Sequence, residues 1–102
     1  MSVLNVNRDN FNELVKGEKP VLLDFYADWC GPCQMVKPVI AEIAEEYPEF
    51  VVGKINVDEE MELAQKFSVV SIPLLVVLKD GKVVSQAVGF RQKEQILEML
   101  NV

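Results

Sequence analysis

Apolar positions along this chain fall into two rhythms, short unbroken runs and stripes at helical spacing, and the two alternate from end to end. Val3 to Val6 is a short strand candidate. Asn7 fits the N-cap of a helix reaching about Lys16, with Phe11, Leu14 and Val15 at helical spacing and Gly17 ending it. Pro20 then opens Val21-Leu22-Leu23-Asp24-Phe25-Tyr26, a run that reads as a buried central strand. Val36, Ile40, Ile43 and Tyr47 form an amphipathic stripe on the next helix. Pro38 lies inside that helix, where a kink is expected, and Pro48 marks its end.

Val51 to Val57 is the third strand, interrupted by Gly53 and Lys54. Asp58 is expected to cap a short helix through Phe67, with Glu59, Glu60 and Glu62 in its first turn, where the helix dipole favours acids. Leu74 to Lys79 and Lys82 to Val88 are two strands joined by Asp80-Gly81, a type I′ hairpin signal because both turn positions tolerate positive φ. A last helix from about Gln92 to Asn101 turns Ile96, Met99 and Leu100 to one face. The order β-α-β-α-β-α-β-β-α predicts an α/β domain. Crossover helices allow parallel strands, the hairpin adds an antiparallel pair, and helices cover both faces of a mixed sheet.

Length restricts this to one domain over residues 1–102, since 102 residues leave no room for a second core. Half of the residues are hydrophobic and a quarter charged, an ordinary globular balance that needs no covalent staples. The net charge of −6 keeps such a domain soluble and repels phosphate backbones, so nucleic acid is excluded as an expected partner. No basic segment followed by an apolar one opens the chain, and no apolar run approaches the roughly 18 residues of a membrane span. A soluble, cytoplasmic monomer without a membrane partner is the expectation.

The candidate chemistry lies in Cys30 and Cys33, the only two cysteines. A structural zinc site needs four ligands, and two cysteines without any histidine cannot supply them, so no metal is expected. A structural disulfide closing so short a loop adds little stability. Redox chemistry is the remaining reading, and C-x-x-C beside a β-α-β pattern is its signature. The pair stands where the central strand passes into a helix. Cys30 is expected at the helix N-terminus, exposed, with its thiolate favoured by unpaired N–H groups and the positive dipole end. Cys33 is expected about one turn in and shielded. Pro32 suits the first helical turn, and Gly31 has no side chain to obstruct a substrate.

Trp29-Cys30-Gly31-Pro32-Cys33, with Ala27-Asp28 before it, resembles the active-site motif of the thioredoxin family, and the order of elements is similar to that family's over essentially the whole chain. The resemblance implies a thioredoxin fold, a mixed five-stranded sheet flanked by four helices. It implies a protein-disulfide reductase acting by dithiol–disulfide exchange, with disulfide-containing proteins as substrates. An NADPH-dependent thioredoxin reductase would regenerate the dithiol, and the chain itself would bind no cofactor.

Further residues acquire roles by the same resemblance. Asp24 interrupts an apolar strand. Either the strand end lets it reach solvent, or it is the family's buried acid that takes the proton from Cys33. Lys54 either snorkels to the surface or is the lysine near that acid. Pro73 stands at a strand start, where its missing N–H is tolerated. The family implies a cis bond there, with Ile72 offering backbone groups to an extended substrate. Trp29 fits a docking surface better than a core, and Gly89, by bland reading a turn, would lie beside the cysteines. Gly31, Pro32, Ile72, Pro73 and Gly89 would then form an apolar patch around Cys30. Gln34, Leu74 and Phe90 depart from the residues frequent in the family, which bears on partner preference rather than on chemistry.

Two functions remain in play on the sequence. The first is catalysis. The second is a binding module that lends its patch to a larger complex, which a Cys30→Ser, Cys33→Ser double variant would leave intact. The neutral Gly31-Pro32 bridge places no charge that would stabilise the thiolate, which favours a reductant with a midpoint potential below that of glutathione.

Overall fold

The computed structural model describes residues 3–102. Its elements are β1 (Val3–Asn5), α1 (Phe11–Val15), β2 (Val21–Tyr26), α2 (Gly31–Glu46), β3 (Val51–Asn56), α3 (Met61–Lys66), β4 (Leu74–Lys79), β5 (Lys82–Val88) and α4 (Lys93–Met99). The five strands form one sheet in the order β1-β3-β2-β4-β5. β1, β3 and β2 run parallel, while β4 is antiparallel to β2 and to β5. The predicted mixed sheet is therefore present, with β2 at its centre. That place follows from the sequence of β2: Val21 to Phe25 are all buried, and only a strand covered on both faces hides a continuous run.

Side chains alternate across the sheet and feed two cores. Val21, Leu23 and Phe25 pack with Phe11, Ile55 and Leu63, so α1 and α3 cover this face. Leu22 packs with Val36, Ile40, Ile43 and Ile96 under α2 and α4. The same alternation sends Asp24 to the Leu22 face, beneath α2. The site is positioned by this register.

Topology also gathers the loops. Tyr26 pairs with Asn56, Phe25 with Leu74, and Leu74 with Val88, so these residues form one end row of the sheet. The segments just beyond the row, 27–30, 57–60, 71–73 and 89–91, emerge at the same end. The hairpin is as expected, with positive φ at Asp80 (54°) and Gly81 (76°).

The two short helices start later than the sequence suggests. Asn7 does cap, its Oδ1 accepting from the N–H groups of Asp9 (2.9 Å) and Asn10 (3.0 Å), but the turn it caps precedes a helix that begins only at Phe11. Asp58 does not cap α3. The N-cap is Glu60, and the Asp58 carboxylate is engaged elsewhere. α2 runs through Pro38 to Glu46 without ending there.

Candidate redox active site

Cys30 has extended backbone angles (φ −92°, ψ 116°), which turn its side chain back over the first turn of α2 as an N-cap. Its Sγ accepts a hydrogen bond from the Cys33 N–H at 3.2 Å. Pro32 occupies the first turn, where its missing N–H forfeits no helical bond. Cys30 and Cys33 are joined as a disulfide, with Cα atoms 5.3 Å apart. When the bond is reduced, the same N–H and the positive end of a 16-residue helix face the Cys30 sulfur. This is the environment that favours a thiolate.

Cys33 is shielded as expected, at 2% exposed. Cys30 is not the open residue the sequence suggests, being only 5% exposed. In the disulfide, Tyr26, Val57 and Ile72 pack on the cluster that Cys30 forms with Ala27 and Cys33.

Asp24 is 4% exposed, so the strand end does not carry it to solvent. Its Oδ1 has no hydrogen-bond partner among the described residues. Burial raises its pKa to about 7, against the opposing pull of the Lys54 ammonium. Lys54 is the register partner of Asp24 on β3, half-buried, with its Nζ 5.9 Å from the Tyr26 ring centroid. A cavity of ≈ 140 Å³ is lined by Asp24, Lys54 and Cys33 together with Tyr26, Asp28, Gln34 and Lys37. Such a space is large enough for water, at about 30 Å³ per molecule, and acid, lysine and second cysteine line it together. A second cavity, ≈ 260 Å³, meets Asp24, Lys37 and Lys54 from beneath α2. Lys37 is absent from the sequence reading. Its spacing of one helical turn after Cys33 was the available signal.

Trp29 is 72% exposed, and its indole Nε1–H donates to Asp58 Oδ2 at 2.8 Å. Asp58 thus belongs to the rim of the site, a role that no local pattern announces across 29 residues. Gly31 and Pro32 are exposed, and a Cβ on Gly31 would meet nothing within 4 Å, so packing does not demand a glycine there. The Ile72–Pro73 bond is cis. The Ile72 carbonyl lies 3.9 Å from Cys30 Sγ, a contact and not a hydrogen bond, because a disulfide sulfur carries no proton. Pro73 is buried, and its carbonyl accepts from the Gly89 N–H at 2.8 Å. Gly89 has φ of +93°. Of the three departures, Gln34 is exposed and Phe90 half-buried against the α2–α4 core. Leu74 is 5% exposed within the other core and so does not line the surface.

Comparison with known proteins agrees with this geometry. The thioredoxin family model matches residues 2–102. The thioredoxin of Alicyclobacillus acidocaldarius is 48% identical over 88 residues, covering 85% of this chain and 84% of that one. The thioredoxin of Staphylococcus haemolyticus is 45% identical over 103 residues, covering 99% and 97%. Among solved structures, a mutant thioredoxin from Halobacterium salinarum superposes with a TM-score of 0.92 at 37% identity, covering 98% of this chain and 88% of that one. Sequence match, shared fold and a C-x-x-C disulfide at the start of α2 agree, and the chain belongs to the thioredoxin family, whose dithiol–disulfide exchange reduces protein disulfides.

Proposed function

We propose that the chain is a single-domain cytoplasmic monomer working in the reducing direction, with Cys30 as nucleophile and Cys33 as resolving thiol. The observation that carries this reading is the Cys33 N–H held on Cys30 Sγ at a helix N-terminus, beside a cavity shared by Cys33 and Asp24. The Cys30 thiolate attacks one sulfur of a substrate disulfide. The substrate's other sulfur leaves with the electron pair and takes a proton, and a mixed disulfide forms. Cys33 then loses its proton to Asp24 through cavity water, and its thiolate attacks Cys30 Sγ. The mixed disulfide breaks, the second substrate sulfur leaves and is protonated, and Cys30–Cys33 is again a disulfide. Two electrons have passed to the substrate.

Lys54 keeps Asp24 ionisable near neutral pH, in line with the direction in which it pulls the carboxyl. Trp29, Gly31, Pro32, Ile72, Pro73 and Gly89 form the docking surface. Pro73, being buried, holds Ile72 and Gly89 in place rather than touching substrate with its own ring. An NADPH-dependent thioredoxin reductase returns the electrons and makes the chain a carrier in electron transport. The cytoplasmic assignment accords with the described residues containing no helix long and apolar enough to cross a membrane.

Two measurements test the reading. A Cys33→Ser variant should accumulate a mixed disulfide through Cys30, while Cys30→Ser should accumulate none; the reverse pattern would exchange the two roles. Equilibration with a glutathione buffer should place the midpoint potential below that of glutathione, and a value on the oxidising side would make the chain an oxidant.

A further inference from the structure

Arg91 stands at the edge of the docking surface in an unusual state of readiness. Its Nη1 donates to the Val88 carbonyl at 2.9 Å and to the Phe90 carbonyl at 3.0 Å, which fixes the plane of the guanidinium. Nη1 lies 3.7 Å from where a Cβ on Gly89 would stand. Gly89 is bonded to Pro73, and the Ile72 carbonyl touches Cys30 Sγ, so the guanidinium is linked to the reactive sulfur through contacts already described. The N–H donors on Nη2 and Nε have no partner among the described residues, and no acidic side chain pairs with Arg91.

Neighbouring cations are committed elsewhere. Lys93 pairs with Glu42 and Glu46, and Lys37 and Lys54 line the Asp24 cavities. In a chain of net charge −6, Arg91 is therefore a pre-oriented cation with free donors in a fork suited to a carboxylate.

We propose that Arg91 is a specificity-determining residue that selects substrates bearing an acidic side chain close in sequence to the cysteine that Cys30 attacks. An extended chain advances about 3.3 Å per residue, so the substrate positions that test this are those within about four residues of that cysteine. The proposal rests on the docking surface assigned above. An acidic partner would otherwise be disfavoured by the chain's own charge, and the guanidinium of half-buried Arg91, anchored on two carbonyls, loses little freedom on pairing.

The test uses a series of disulfide peptides with Glu, Gln or Lys at each position within about four residues of the cysteine. Rates are normalised to reduction by dithiothreitol, which removes intrinsic differences between peptides. At one or more positions Glu peptides should react about three- to fivefold faster than Gln peptides at low ionic strength, with the gap closing in high salt. Arg91→Gln should abolish the preference, and Arg91→Glu should turn it toward Lys. An unchanged preference in Arg91→Gln, or no preference at any position, would overturn the assignment. Trp29→Ala separates the two claims. It should slow all peptides alike. If it changes nothing while Arg91→Gln still abolishes the preference, Trp29 lies outside the docking surface and the Arg91 assignment stands.

Discussion

Asp24 concentrates the tension between stability and chemistry at the residue scale. A carboxyl buried beneath α2 is protonated more readily in the folded chain, where its pKa is about 7, than in the unfolded chain. Between roughly pH 4 and 7 the folded state therefore binds more protons, and stability falls as pH rises through that window. Above it both states are ionised and the full cost of burying the charge is present. Asp24→Asn, a neutral mimic of the protonated acid, should gain about 4 kcal/mol of unfolding free energy at pH 8 relative to its difference from the parent at pH 3. Denaturant unfolding across pH checks this, and a pH-independent difference would contradict it. Asp24 was legible in the sequence because an acid is conspicuous inside Val21–Tyr26. Asp58 and Arg91 were not. The first is defined by an indole 29 residues away, and the second by a side chain folded back on its own loop.

At the scale of elements, the strands were more legible than the helices. β2, β4 and β5 match the expected bounds because Pro20 and Asp80-Gly81 punctuate continuous apolar runs. α1 and α3 are shorter than expected because backbone N–H groups that donate to Asn7 Oδ1 and Asn56 Oδ1 hold leading turns that local pattern merges with the helix. α2 is the element on which the proposed function depends, since its N-cap is Cys30, the nucleophile of that proposal. A cap needs an acceptor, so Cys30→Ser should preserve α2 where Cys30→Ala removes the acceptor for the Cys33 N–H. With the disulfide absent from both variants, the serine form should be more stable by about 1 kcal/mol. Equal unfolding midpoints would mean that the sulfur does not cap the helix.

At the scale of the whole molecule, two cores hold the sheet and four loops at one end of it build the site. Ile43, in the far part of α2, contributes packing. Ile43 is fully buried in the α2–α4 core, and Ile43→Ala should cost about 2–5 kcal/mol of unfolding free energy without changing the reduction rate well below the melting temperature. A matching loss of rate would tie that core to the chemistry. The loop convergence was implicit in the strand order, but the sequence alone did not show that Leu74 faces the core instead of the partner, because a buried and a docking side chain look alike at a strand start. The central claim is that Cys30 and Cys33 pass two electrons to protein disulfides. Its most direct test is the reduction of insulin disulfides by dithiothreitol with and without catalytic amounts of the chain. Acceleration by the parent chain and its loss in Cys30→Ser are predicted; an uncatalysed rate with the parent chain would contradict the account.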